Sequence, residues 1–129
     1  MIYIIDTYAW VEYINGSNRA VALKKLFENS ASKFITIECC IAELAGFCIK
    51  KKIDFKRIFE LVKINSIILP VLTGNWIEAA RIKSELREKI ENFGLIDAIL
   101  VSKQKELKAK IVSGDPHFKG LKDVVYIGD

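Results

Sequence analysis

The chain opens Met1-Ile2-Tyr3-Ile4-Ile5 and stops abruptly on a carboxylate, Asp6. An apolar run rich in Ile and Tyr, with no turn former in it, reads as a strand buried on both faces, as the central strand of a parallel sheet is. That constrains the rest of the chain. Parallel strands need crossovers of a dozen or more residues, and helices must cover both faces. In open α/β sheets reactive groups collect just beyond the carboxyl ends of the strands, so Asp6 stands where chemistry is expected.

The remaining pattern supplies the crossovers. Trp10, Val11 and Ile14 predict a short helix over Tyr8 to Ile14, capped by Thr7, and Asn15-Gly16-Ser17-Asn18 predicts a turn. A second helix is expected over Arg19 to Phe27, with Val21, Leu23, Leu26 and Phe27 inward. Phe34-Ile35-Thr36 reads as a strand and Ile37 to Lys50 as a helix whose apolar arc is Ile37, Ile41, Leu44, Ala45 and Cys48, with Glu43 at its border. Asp54 caps a helix through Ile58, Leu61 and Val62. Ile67 to Leu72 is a third strand, placed at a sheet edge because Pro70 lacks an N–H donor. A long charged helix over Asn75 to Ile90, opened by Thr73, another over Leu95 to Leu107, and strands at Lys110 to Ser113 and Val124 to Ile127 complete the chain. Strands alternating with helices predict a three-layer α/β/α sandwich around a central, mainly parallel sheet of about five strands. Residues 1–129 are expected to form one domain, long enough to bury roughly two-thirds of the unfolded surface.

Several functional classes fall away. With 51% hydrophobic and 28% charged residues the chain is globular rather than disordered. No apolar run approaches the ~20 residues of a membrane span, and Met1 to Ile5 is too short for a signal peptide, so a cytoplasmic protein with no membrane association is expected. Cys39, Cys40 and Cys48 are odd in number and wrongly spaced for a disulfide framework or a paired Cys-x-x-Cys zinc site, so they read as buried thiols. No Gly-x-x-x-x-Gly-Lys loop and no Gly-x-Gly-x-x-Gly turn follows a strand, which leaves a nucleotide cofactor without a seat. The net charge of +4 permits a polyanionic partner without demanding one.

Carboxylates carry what remains. Asp97 interrupts the otherwise apolar Leu95 to Val101, and a buried unpaired carboxylate costs several kcal/mol or takes up a proton. It needs a partner, either a cation or the positive end of the helix that starts after Gly94. Asp115 follows the Lys110 to Ser113 strand as Asp6 follows the first, although Gly114-Asp115-Pro116 is also a turn sequence. Glu43 on its helix border, taken alone, reads as a solvated residue. Together, Asp6, Glu43, Asp97 and Asp115 fall near strand ends or the first turns of the following helices. Clustered like charges raise one another's pKa unless a cation neutralises them, so the set points to Mg2+ or Mn2+ on hard oxygen ligands.

The pieces Ile5-Asp6-Thr7-Tyr8-Ala9-Trp10, Ile41-Ala42-Glu43-Leu44, Leu95 to Leu100 and Ser113 to Phe118, in this order and spacing, resemble the four acidic motifs of the PIN-domain family, and of its short VapC-like members above all. The resemblance implies a Mg2+- or Mn2+-dependent endoribonuclease in which Asp6, Glu43, Asp97 and Asp115 are catalytic and hold the metal, supported by Thr7 and Ser113. It further implies an RNA substrate, a homodimer and a small antitoxin partner. A non-catalytic RNA-binding or interaction module on the same scaffold, or an RNA-processing nuclease without an antitoxin, are the alternatives. After Leu100 the family often has small residues, where this chain has Val101-Ser102-Lys103-Gln104, a difference that bears on packing. His117, the only histidine, invites reading as a general base, but it is expected instead to pack and to hydrogen-bond its loop. Lys50, Lys51 and Lys52 form one basic cluster for RNA, and Arg81, Lys83 and Arg87 another.

Overall fold

The computed structural model describes all 129 residues. The first strand, β1 (Ile2–Ile5), lies at the centre of a five-stranded sheet, flanked by β2 (Lys33–Ile37) and β4 (Lys110–Ser113), with β3 (Ile67–Leu69) and β5 (Val124–Tyr126) at the two edges. Every pairing is parallel, so the sheet is wholly rather than mainly so. The register sets Ile4 opposite both Ile35 and Ile111, which aligns the ends of the three central strands.

Alternation along these strands divides the core in two. Ile4, Ile35, Ile37 and Ile111 face a layer built from α5 (Thr73–Arg87) and α6 (Leu95–Leu107), with Ala79, Ile82, Phe93, Ile99 and Leu100 buried against them. Ile5 and Val112 face the other layer, made by α1 (Thr7–Asn15), α2 (Ala20–Phe27), α3 (Glu38–Lys51) and α4 (Phe55–Asn65), where Trp10, Leu23, Leu44 and Val62 are buried. The three-layer sandwich follows. Trp10 is wholly buried and its indole N–H donates to Thr36 Oγ1 at 3.1 Å, so the largest core side chain leaves no polar atom unpaired.

The element boundaries differ where a local signal had two readings. β3 ends at Leu69 and Pro70 lies just beyond it, so the proline terminates an edge strand instead of sitting within one. α5 starts at Thr73 and ends at Arg87, three residues short of Ile90, and the Asn75 side chain accepts from the Leu72 N–H at 3.0 Å to close its first turn. Thr7 does not cap α1: Asp6 occupies the cap position, its Oδ1 accepting from the Thr7 N–H, while Thr7 is the first helical residue. Asp54 does cap α4, and Gly16 ends α1 at φ 65°.

The polar stretch after Leu100 is also accounted for. Ser102 and Lys103 are both buried between the two helices. Asn75 Nδ2 donates to Ser102 Oγ at 3.1 Å and to Glu106 Oε1 at 3.3 Å, and Lys103 Nζ donates to Glu106 Oε2 at 3.1 Å. A buried ammonium needs such a partner, and this one also draws the Glu106 carboxyl below its usual range.

Candidate functional site

Parallel strands aligned at β1, β2 and β4 bring the starts of α1 and α3 and the loop after β4 to one edge, and the candidate acids collect there. Asp6 is 6% exposed. Its N–H is tied to Val112 O at 3.0 Å, its Oδ1 accepts from Thr7 N at 2.7 Å, and its Oδ2 accepts from Ser113 Oγ at 2.6 Å. Burial, opposed by the bonds from Ser113 and Thr7 and reinforced by the charges of Glu43 and Asp97, pushes its pKa up to about 7. An oxygen pair of this kind, held in place and short of positive charge, favours a cation.

Two groups of donors flank this point. In one, an Asp6 oxygen, a Glu43 oxygen and Cys40 Sγ lie within 4.8 Å of one another. Thr7 Oγ1 donates to Glu43 Oε1 at 2.7 Å, so the residue expected to cap the helix instead orients the second acid. In the other, oxygens of Asp97 and Asp115 and a ring nitrogen of His117 lie within 4.8 Å of one another. Asp97 Oδ2 accepts from the Gly94 N–H at 2.9 Å and faces His117 Nδ1 at 2.8 Å. Gly94 precedes α6 with no side chain to offer, so the first turn of that helix is closed by Asp97 alone. Asp97 thus closes the start of its helix, one of its two expected roles, while also standing in the donor group with Asp115 and His117.

Ser113 joins the two groups. Its hydroxyl donates to Asp6 and accepts from the Asp115 N–H at 3.0 Å, which ties the ends of β1 and of the loop after β4 together. Asp115 Oδ1 in turn accepts from His117 N at 2.9 Å, so the turn sequence does form a turn and presents a carboxylate while doing so. The loop is pressed against α1: a Cβ on Gly114 would lie 2.3 Å from Tyr8 Cε1. Gly114→Ala is expected to force the Tyr8 ring aside and to cost about 1–3 kcal/mol, read as a fall in the urea midpoint at unchanged m-value.

Two neighbours were not legible as site residues. Cys40 read as an ordinary buried thiol, and it is buried, but it also stands beside Asp6; its bond with Cys39 and its burial push its pKa well up, keeping it neutral. His117 packs on Phe93 at 6.2 Å between ring centroids, as expected, yet its hydrogen bond goes to Asp97 and not merely to its own loop. Its being the only histidine, two residues after Asp115, was the available signal. Cys39, next to Cys40 in sequence, is only partly buried, so two of the three cysteines and not all of them are the buried thiols expected. Of the basic clusters, Lys50 and Lys51 lie roughly 11–12 Å beyond Glu43 along α3. Lys83 and Arg87 line a cavity of about 440 Å³ with Leu95, at the start of the helix that carries Asp97, whereas Arg81 pairs with Glu85 at 2.7 Å.

A family model for the PIN domain matches residues 3–124. The chain belongs to the PIN-domain family. In structure it is similar to a toxin–antitoxin complex from Klebsiella pneumoniae (TM-score 0.77, 14% identity, 98% of each chain covered). It is likewise similar to VapBC2 from Rickettsia felis bound to a DNA fragment from their promoter (TM-score 0.74, 21% identity, 98% of this chain and 97% of that one). DNA-bound VapBC from Salmonella typhimurium is a third (TM-score 0.69, 17% identity, 96% and 95% covered). At these identities the likeness is one of fold. No curated protein matches the sequence. No helix is long and apolar enough to cross a membrane.

Proposed function

We propose that this protein is a metal-dependent endoribonuclease, the toxin of a type II toxin–antitoxin pair, with Asp6, Glu43, Asp97 and Asp115 as its metal-holding and catalytic acids. The observation that carries the reading is the Asp6 carboxylate. It is buried, held by two donors and pushed up toward neutrality by its surroundings, with further acids on either side. The hard oxygens of these acids suit Mg2+ or Mn2+. Such an ion, when bound, polarises a phosphoryl oxygen and lowers the pKa of a water. The chain's own residues do the positioning. Thr7 and Ser113 fix the orientations of Glu43 and Asp6, and His117 holds Asp97 against the Asp115 loop.

RNA as substrate, a small antitoxin and a homodimeric assembly are parts of the same proposal. The antitoxin is supported by the likeness in fold to a toxin–antitoxin complex and to VapBC2 and VapBC. A cytoplasmic setting is supported by three cysteines that are all free. The chain from 1 to 129 would be one PIN unit. The test is cleavage of a labelled RNA by purified protein. Activity in Mn2+ is expected to vanish in EDTA and to return on adding Mn2+ in excess. RNA left intact in Mn2+, or cut equally well in EDTA, would sink the reading.

A further inference from the structure

The α1–α2 turn and the segment after β4 bring a guanidinium to the side-chain carboxylate of Asp129 and an ammonium to the main-chain oxygen of the same residue, beside the acid loop. Arg19 Nη1 donates to the Tyr8 hydroxyl at 2.7 Å, and Arg19 Nη2 donates to Asp129 Oδ2. Lys119 Nζ, from a different part of the chain, donates to the main-chain oxygen of Asp129 at 2.9 Å. Glu12 Oε1 is the other carboxylate oxygen near, 3.9 Å from the guanidinium, while Glu12 Oε2 takes the Ser17 hydroxyl. Tyr8, which positions Arg19, lies with its ring on Gly114, the residue before Asp115. One aromatic ring therefore separates the guanidinium from the proposed catalytic loop.

We propose that Arg19 and Lys119 form a phosphate subsite for the RNA backbone at the rim of the acid groove, and that the Asp129 carboxylate occupies it as an internal stand-in for the phosphate. The substrate in this inference rests on the nuclease reading above. Arginine suits the role because its planar fork takes two oxygens at once, and here one arm is already oriented by Tyr8. The stand-in is easily displaced. Asp129 has 88% of its side chain in solvent and Arg19 35%, and an exposed ion pair of that kind is worth little. A phosphate that replaces it exchanges one anion for another without exposing a bare cation. The contact therefore keeps the guanidinium oriented until a backbone phosphate replaces the carboxylate.

The test is fluorescence anisotropy of a labelled single-stranded RNA oligonucleotide, with Ca2+ in place of Mn2+ so that the probe stays whole. Arg19→Gln is expected to weaken binding by about tenfold whatever the RNA sequence, and to make the slope of log K against log salt shallower by about 0.7. Asp129→Asn, a change at an exposed position that leaves folding alone, is expected to tighten binding roughly threefold. The double variant should match Arg19→Gln. A merely structural Arg19 would not move the salt slope. Both single variants binding within about twofold of wild type at unchanged slope would overturn the subsite, even if RNA is cut in Mn2+. Wild-type protein that leaves RNA uncut while these shifts persist would overturn the nuclease reading and leave the anion subsite standing.

Discussion

Asp6→Asn protein should fold and lose RNA cleavage by well over about a hundredfold. Groups that only orient a metal ligand typically contribute 10–100-fold, and Asp6 is proposed as a ligand itself. The fold should survive because the amide is isosteric with the carboxylate. Its oxygen can still accept from the Thr7 N–H, and a hydroxyl can turn from donor to acceptor, so Ser113 can receive the new N–H2 group in place of giving its own proton. What disappears is the negative charge at the point where Glu43 and Asp97 already crowd it. The measurement pairs initial rates on a labelled RNA in Mn2+ with Mn2+ affinity by calorimetry. Both should fall together. If the variant cuts within threefold of wild type, Asp6 holds no essential ion and the proposed chemistry is wrong.

The parts of this site that were legible in the sequence are those written along one dimension. β1 ending on Asp6 is a contiguous signal, since an apolar run that stops on an acid needs no partner elsewhere to be read. Asp97 is legible for the same reason, as a charge inside an apolar helix face. Glu43 and Asp115 were ambiguous singly and became informative only as members of a set. Asp115 does serve its turn, accepting from the His117 N–H, so the turn reading of that residue was sound as far as it went.

What the sequence could not carry is which way a side chain turns once strands are side by side. Thr7 next to a helix start looked like a cap, yet the Asp6 side chain takes that role and frees the threonine hydroxyl to reach Glu43, 36 residues away in sequence. Ser113 lies two residues before Asp115, but the hydrogen bonds that it donates to Asp6 and accepts from the Asp115 N–H depend on the β1–β4 register. Cys40 and His117 join the donor groups only because α3 and the loop after β4 arrive at the same edge. The lysines that end α3 illustrate the converse. They are conspicuous in sequence and near Glu43 there, but a helix converts seven residues into roughly 11 Å.

The metal-free protein should lose stability as pH rises from about 4 to 7, against the common expectation that paired carboxylates stabilise a fold at neutral pH. Asp6 has a pKa of about 7 in the folded chain against 3.8 for the free group. Between those values the folded state keeps a proton that the unfolded state has released, so each step up in pH favours unfolding. The contribution is complete below about pH 4, declines by up to about 1.4 kcal/mol per pH unit, and is gone once pH passes through the folded value. Over the window the loss is on the order of 3–4 kcal/mol, a large share of a typical domain's stability. Urea midpoints in EDTA at pH 4 and pH 8 measure it, and Asp6→Asn isolates it, since the amide does not titrate and its profile should be flatter by that amount. Adding Mn2+ at pH 8 should restore stability, by about 2.7 kcal/mol at a hundred times the dissociation constant, because the cation takes the place of the proton. Equal slopes for wild type and Asp6→Asn would mean that the carboxylate is already comfortable without a metal ion.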